Sequence, residues 1–302
     1  MDAASQPEDC APHPVMVRPM LVITGASGNV GGMLARRLVA AGEPVRLLVR
    51  DPARAPALAG AEIAVGDYRD PASIADAIRP GDRVFMVSVH EGHDDRIEAH
   101  RAFIDAAHLR DPDLSAYLSM VNASYDSAFP HSRSHRATEE LLDDSGLPYA
   151  FLRMGLFLDD LPLWFDADGI CRGPAGDGRV SLVTRDEIAE AAAAVLTGNG
   201  QAGETYDLTG PSAHTLGELA EIVSDVVGRP FAYEPGDRED WIAGRLAAGK
   251  PRWDVESGIG SYDAVRLGEL ELSPGDVERL TSHAPRNPRT WVEQNADRFS
   301  VA

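Results

Sequence analysis

A glycine-rich segment near the amino terminus constrains the fold of this chain more than any other feature. The segment TGASGNVG, residues 24–31, lies between a short apolar run, MLVITG, and an amphipathic stretch, NVGGMLARRLVAAG. A buried strand that turns through spaced glycines into a helix lets backbone N–H groups approach a pyrophosphate. The positive end of the helix dipole then faces the phosphates. The segment therefore predicts a dinucleotide site at Gly25, Gly28 and Gly31.

Strand-like and helix-like segments alternate after this motif. The apolar runs are MLVITG, PVRLLVR, AEIAVGD, RVFMVSV, SAYLSMV and PYAFLRMG. This alternation predicts an α/β fold, a Rossmann-like doubly wound parallel sheet with right-handed crossovers. We expect residues 20–155 to form this NADP-binding domain and residues 1–19 to be a disordered leader. We expect residues 156–302 to form a smaller, mixed C-terminal substrate-binding and lid subdomain, with segments that return to the main sheet.

The end of the second strand indicates which dinucleotide binds. NAD-binding proteins usually place an acidic residue there, which bonds the ribose 2′-hydroxyl. Here the strand ends in LLVRDPAR, with Arg50 at that place and Arg54 one turn later. A guanidinium suits a 2′-phosphate, and the side chain of Asp51 should point away if the strand alternates. We therefore expect NADPH/NADP+ as the cofactor; the alternative is a solvated Arg–Asp pair.

Several segments resemble the atypical branch of the short-chain dehydrogenase/reductase superfamily that includes NmrA-like proteins and bacterial quinone oxidoreductases. They are TGASGNVG, GDYRDPASI, HRATEELL, LPYAFLRMGLF, YDLTGP and GELELSPGDVERLT, and they cover nearly everything from Met20 to the C-terminus. The resemblance implies that Asp67 lies beside the adenine. With the glycine motif it gives the expected cofactor-binding residues, which are Gly25, Ser27, Gly28, Asn29, Val30, Gly31, Arg50, Arg54, Asp67, Tyr68, Val87, Ser88, Val89, His135 and Met154.

The catalytic tyrosine and lysine of the superfamily are absent from this chain. Extended members carry Y-x-x-x-K after the fifth strand, where the tyrosine protonates the substrate and the lysine holds the nicotinamide ribose. The register of HRATEELL places His131 and His135 at those positions, and the only lysine of the chain is Lys250. We expect His135 to bond the ribose and Ser119 and His131 to be the catalytic residues. The alternatives are a position on the helix surface for His135, a helix cap for His131 and a buried serine bonded to backbone for Ser119.

The missing acid restricts the substrate. Hydride delivery to an ordinary ketone forms an alkoxide, whose conjugate acid has a pKa of about 16, so a positioned acid is needed. A quinone forms a phenolate with a pKa of about 10, and a ketone beside a phenol can take the proton of that phenol. We therefore expect an NADPH-dependent carbonyl reductase for a quinone-like or phenol-bearing polycyclic aromatic ketone, with substrate-assisted protonation. The alternative is a non-enzymatic, NADP(H)-sensing NmrA-like regulator.

The composition indicates the source genome, the partners and the cellular compartment. One lysine among 28 basic residues, with abundant alanine, favours an actinomycete genome, and with the expected substrate this points to a ketoreductase of an angucycline-type polyketide antibiotic. The formal net charge of −20 argues against nucleic acid and membrane partners. Two cysteines and the lack of a signal-like or membrane-spanning segment favour the cytoplasm. None of these properties indicates an oligomeric state.

The segment HEGHDD, residues 90–95, invites a metal interpretation. It supplies His90, His93 and Asp94, and His100 follows in the next helical stretch. These residues do not complete a compact zinc pattern. We therefore expect no metal site, and we interpret the segment as a loop at the cofactor edge of the sheet followed by the start of a helix.

The substrate is expected to bind among aromatic side chains of the C-terminal half. The candidate walls of that pocket are Phe157, Trp164, Phe165, Trp241 and Trp253. Each aromatic residue alone is also compatible with an ordinary core position. The glycine-rich segment 156–179 carries Phe157, Trp164 and Phe165, and we expect it to act as a lid with glycine hinges.

Overall fold

The computed structural model describes residues 18–299. It contains strands β1 (Leu21–Thr24), β2 (Val45–Val49), β3 (Glu62–Val65), β4 (Arg83–Val87), β5 (Leu114–Met120), β6 (Tyr149–Met154), β7 (Leu156–Phe157), β8 (Ile170–Gly173), β9 (Arg179–Val183), β10 (Thr205–Leu208), β11 (Ala213–Thr215) and β12 (Ala232–Pro235). Seven of them form one parallel sheet in the order β10-β6-β5-β4-β1-β2-β3. The expected Rossmann-like α/β class is therefore confirmed. Most of the expected leader, residues 1–17, lies outside the described residues.

Helices cover both faces of this sheet. They are α1 (Asn29–Ala40), α2 (Pro71–Ala77), α3 (His93–His108), α4 (Pro130–Ser145), α5 (Arg185–Thr197), α6 (Leu216–Val227), α7 (Arg238–Ala247), α8 (Arg252–Arg266), α9 (Asp276–Thr281) and α10 (Pro288–Gln294). Helices α1 and α5 share one hydrophobic core with the sheet, and α2, α3 and α4 share another on the opposite face. In α1, the helical spacing buries Val30, Leu34 and Leu38. Within residues 18–299, no helix combines the length and apolar character needed to cross a membrane.

The chain beyond residue 155 contributes both to the main sheet and to a smaller C-terminal subdomain. Strand β10 pairs with β6 in the main sheet, and α5 packs beside α1. Helix α5 begins in a capping box, in which Thr184 accepts from the N–H of Glu187 and the Glu187 side chain bonds back. The remaining strands form the small sheets β11-β9-β7 and β12-β8, which share a third hydrophobic core with α6, α8 and α10.

The expected lid, segment 156–179, is packed into this third core. A Cβ atom at Gly173 would lie 2.3 Å from the ring of Tyr262, and one at Gly178 would lie 2.2 Å from the carbonyl oxygen of Val265. These glycines therefore allow close approach of α8, and the packing does not support their expected role as hinges. Helix α7, in contrast, has no buried residue. It is therefore less firmly packed than segment 156–179.

Candidate active site

The glycine loop has the geometry that a pyrophosphate requires. Gly25 follows β1 with a φ of 61°, a left-handed conformation that disfavours other residues. The N–H of Gly28 donates to the carbonyl of Gly25 over 2.8 Å. A Cβ atom at Gly31 would lie only 2.5 Å from that same oxygen, so only glycine allows α1 to start this close to β1. The residues present therefore fit a bound dinucleotide.

A cleft of about 250 Å³ opens beside this loop at the carboxyl ends of β1, β2 and β4. Eight of the expected cofactor-binding residues line it, which are Gly25, Ser27, Arg50, Asp67, Tyr68, Val87, Ser88 and Val89. The hydroxyl of Tyr68 is bonded internally, to Thr24 Oγ1 over 2.7 Å and to the Val87 carbonyl over 2.9 Å. Tyr68 therefore offers the cleft its ring. Other expected residues do not line the cleft, and these are Gly28, Asn29, Val30, Gly31, Arg54, His135 and Met154.

The two residues after β2 have separate roles. Arg50 is exposed and lines the cleft. The carboxylate of Asp51 instead accepts the N–H of Ala53 over 2.9 Å and caps a short 3₁₀ helix, Pro52–Arg54. Arg54 belongs to that helix and lies outside the cleft, because the turn carries it away from the sheet edge. Of these charged side chains, Arg50 alone lines the cleft.

Sequence reasoning missed an ion pair at the mouth of this cleft. Arg69 Nη1 donates to Glu91 Oε1 over 2.8 Å, and both residues line the cleft. The pair ties the loop after β3 to the loop after β4. Because the two residues are 22 positions apart in the chain, no local pattern in the sequence indicated the contact.

A second, larger cavity of about 330 Å³ lies under the C-terminal helices. Its lining residues are Phe129, His131, Leu156, Phe157, Asp160, Trp164, Leu216, Trp241, Asp254, Ser257, Gly258, Ser261, Tyr262 and Val265. A small void of about 60 Å³ shares Glu91 with the cofactor cleft and His131 with the larger cavity. The two binding spaces therefore adjoin near the start of α4.

Three of the five expected aromatic wall residues line the larger cavity, namely Phe157, Trp164 and Trp241. Trp253 lines the small void, where its ring centroid lies 5.1 Å from that of His90. Phe165 does not line the cavity. It packs edge-on against Phe231 with ring centroids 5.0 Å apart, so for this residue the ordinary core reading is correct.

His131 lies in the first turn of α4 and faces the larger cavity. Its Nδ1 lies 3.4 Å from the hydroxyl oxygen of Ser257. Burial, together with the nearby charges of Arg96 and His90, lowers the pKa of His131 to about 3. The ring is therefore neutral near pH 7.

Ser119 and His135 face the core between β5 and α4 and line neither binding space. Ser119 donates to Glu139 Oε1 over 2.6 Å, and Glu139 in turn pairs with Arg153 over 2.6 Å. His135 Nδ1 lies 2.8 Å from the hydroxyl of Tyr117. Alternation along β5 directs Tyr117 and Ser119 to the same face of the sheet. Ser119 is therefore buried, as the alternative has it, but its partner is the carboxylate of Glu139 and not the backbone.

Arg96 in α3 is a buried cation without a carboxylate partner among residues 18–299. It donates through Nη1 to Ser134 Oγ and through Nη2 to the carbonyl of Glu91, both over 3.2 Å. Its charge lowers the pKa of His131 and also that of His135, for which burial is the larger cause. Burial and this guanidinium together keep the histidines at the start of α4 uncharged.

The HEGHDD segment forms the turn into α3. Both ring nitrogens of His100 are engaged, because Nε2 accepts the N–H of Val89 over 3.1 Å and Nδ1 lies 2.9 Å from Thr138 Oγ1. Among residues 18–299, no three His, Cys, Asp or Glu side chains cluster in a way that could hold a metal ion. His90 instead lines the cofactor cleft.

Sequence reasoning also missed the polar residues that α8 brings to the cavity, Asp254, Ser257 and Tyr262. The hydroxyl of Tyr262 donates to the carbonyl of Arg172 over 3.3 Å. Burial raises the pKa of Tyr262 to about 12, which makes it a weaker acid than an ordinary tyrosine. These residues follow His131 by more than 120 positions, and no motif in the sequence linked them to it.

A Rossmann-like fold with a cleft at its glycine loop defines the class of dinucleotide-binding proteins. Residues 25–199 match the model of the NAD(P)H-binding family. The chain is 33% identical over 288 residues to (4-alkanoyl-5-oxo-2,5-dihydrofuran-3-yl)methyl phosphate reductase from Streptomyces griseus, covering 93% of this chain and 99% of that protein. It is 30% identical to NAD(P)H azoreductase from Xenophilus azovorans over 94% of this chain and 100% of that one.

Among solved structures, the chain resembles an NADPH-dependent quinone oxidoreductase from Escherichia coli in complex with NADPH. The TM-score is 0.84 at 29% identity, over 92% of this chain and 100% of that one. The chain belongs to the NAD(P)H-binding family, within the NmrA-like and quinone reductase-like short-chain dehydrogenase/reductases, and is an NAD(P)H-dependent oxidoreductase. This agrees with the cofactor expected from the sequence, NADPH/NADP+.

Proposed function

We propose that this protein uses NADPH to reduce a quinone-like or phenol-bearing polycyclic aromatic ketone, and that the substrate supplies the proton. The observation that carries the proposal is the larger cavity, which has aromatic walls and no strong acid. Its titratable donors are a neutral His131, with a pKa lowered to about 3, and Tyr262, with a pKa raised to about 12. Its carboxyl side chains are Asp160, which is paired with Arg185 over 2.7 Å, and Asp254.

The chemistry follows from this lining. NADPH, when bound in the cleft, would supply the hydride for the carbonyl carbon. A phenol-bearing ketone would then take its proton from its own phenol and leave an alcohol and a phenolate, whereas a quinone would leave a phenolate that needs no positioned acid. His131 is placed at the junction of the cleft and the cavity, where it can accept or donate a hydrogen bond and orient the ring. The walls exclude water and hold the reacting groups together.

The preference for NADPH over NADH is assigned to Arg50. Its guanidinium lines the cleft, while the carboxylate of Asp51 is used as a cap. An arginine can bond a phosphate with two parallel N–H groups. Within the proposed substrate class, an angucycline-type polyketide ketone is the narrower proposal, because it combines a flat polycyclic ring system with a phenol next to the carbonyl.

Purified protein with NADPH should be tested against a panel of quinones and hydroxyl-bearing anthracyclinone-like ketones, followed by the nicotinamide absorbance. We expect oxidation of NADPH with at least one member and a matching reduced product by mass spectrometry. Tight NADPH binding with no turnover across the whole panel would contradict the proposal and would favour the sensing regulator.

A further inference from the structure

The larger cavity carries an uneven charge. Its lining contains neither arginine nor lysine. One of its two carboxylates, Asp160, is neutralised by Arg185, which donates to it over 2.7 Å. The other, Asp254, has no hydrogen-bond or ion-pair partner for its carboxylate among residues 18–299. Asp254 is therefore a carboxylate of the cavity that no side chain among the described residues neutralises.

Asp254 lies in the first turn of α8, three residues before Ser257. Residues with this spacing lie on the same face of a helix, with about 5–6 Å between their Cβ atoms. The hydroxyl of Ser257 is 3.4 Å from Nδ1 of His131, which marks the end of the cavity nearest the cofactor cleft. Asp254 therefore stands about one helical turn from that end, where it can meet a substituent of the substrate and not its reacting carbonyl.

Asp254 is half-buried in the first turn of α8 and lines the cavity, so its carboxylate is available to a ligand group. An ionised carboxylate only accepts hydrogen bonds, and it repels an anion. Resting on the proposed function, we infer that Asp254 selects the substrate. It accepts a hydrogen bond from a hydroxyl or protonated amine of an aromatic substrate and excludes phosphate esters and other anions. In this respect the cavity differs from what the substrate name of the Streptomyces griseus relative, a phosphate, would imply.

The test uses one 1,4-naphthoquinone that carries, at a single ring position, a hydroxyethyl, dimethylaminoethyl, methoxyethyl or phosphoryloxyethyl group. We expect the hydroxyl and amine compounds to be reduced best. The phosphate compound should have a kcat/KM lower by about tenfold or more. The methoxy compound should fall between them, because it cannot donate. The differences should appear mainly in KM, since the substituent does not react.

Two variants and a control assign the effect to this side chain. Asp254→Asn should remove most of the penalty on the phosphate compound, and Asp254→Lys should make that compound the preferred one. Asp105→Asn is the control, because Asp105 is exposed on α3 and outside the cavity and loses the same charge. It should leave the order of the four substrates unchanged.

The outcomes separate this inference from the proposed function. If none of the four compounds is reduced, the selection by Asp254 is contradicted for quinones, and the proposed function is contradicted with it when the panel of quinones and ketones also gives no turnover. If they are reduced with equal KM values, or if Asp254→Asn keeps the parent order, the selection by Asp254 is wrong while the reductase activity stands. An unchanged melting temperature of Asp254→Asn would establish that the folded variant was measured.

Discussion

The cofactor cleft and the substrate cavity adjoin, yet they are built by different means. The cleft depends on backbone geometry, since Gly25 and Gly31 allow the turn and the close start of α1. The cavity depends on side chains of α4, α7 and α8, which meet only in the folded chain. The conformation of the glycine loop suits a pyrophosphate whatever the neighbouring side chains are, whereas the shape of the cavity changes when a lining side chain is substituted. The comparison teaches that cofactor use is fixed by the fold and substrate choice is set by residues that can vary.

The largest expected effect lies in the backbone-built cleft. Gly31→Ala would place a Cβ atom only 2.5 Å from the carbonyl oxygen of Gly25, which is closer than such atoms can approach. Overpacking of this kind costs about 1–3 kcal/mol, and here it also displaces the start of α1. We expect loss of NADPH binding by calorimetry and loss of turnover. Gly217→Ala is the control, since its added Cβ atom would meet an ordinary contact at 3.7 Å and should leave binding intact.

The next effect should come from the substrate and not from the protein. Converting the phenol beside the carbonyl into a methyl ether removes the proposed proton source. General acids contribute about 10²-fold or more to such steps, so we expect kcat to fall by that order while the ether still binds. Single-turnover rates with phenol and ether, each at saturation, provide the measurement. An ether that is reduced at the rate of the phenol would disprove substrate assistance.

Replacing Arg50 tests the proposed origin of the preference for NADPH. Arg50→Ala should lose most of the preference for NADPH over NADH, because a hydrogen bond to a charged group contributes about 1.5–3 kcal/mol. Arg54→Ala is the matched control, since Arg54 lies outside the cleft and should change the preference little. Calorimetry with both cofactors measures it. Equal affinities in the parent protein would show that the cofactor preference is assigned wrongly.

The sequence predicted the backbone-built part well, because its signals are local. Strand, spaced glycines and helix follow one another within a few residues, and the alternation of apolar runs predicted the parallel sheet. Strand alternation was the reason to expect Asp51 to point away, but β2 ends at Val49, and the carboxylate of Asp51 is instead used as the cap of the following 3₁₀ helix. Such features need no knowledge of distant contacts.

The side-chain-built part was predicted less well, because its residues meet across long stretches of chain. The register placed Ser119 on β5, as the structure does, but the partner that holds it, Glu139, is set by how α4 packs. The glycines of segment 156–179 suggested hinges, whereas the packing of α8 explains two of them. Asp254 and Ser257 carried no motif, since their role depends only on the position of α8 over His131.

The smallest expected effect concerns His131. His131→Ala should retain a substantial fraction of the parent kcat, within about tenfold, because a neutral imidazole here only orients the substrate. With its pKa lowered to about 3, the ring stays uncharged as the pH falls from 8 to 5, so this group should cause no change in kcat over that window. A histidine acid with its usual pKa of about 6.5 would instead make the rate rise as the pH falls through that value.

Profiles of kcat against pH for the parent, His131→Ala and Tyr262→Phe distinguish these cases. A near-inactive His131→Ala that still binds NADPH, with a parent rate that rises below pH 7, would make His131 the replacement acid. Inactivity confined to Tyr262→Phe would assign that role to Tyr262 and would extend the side-chain-built cavity from selecting the substrate to protonating it.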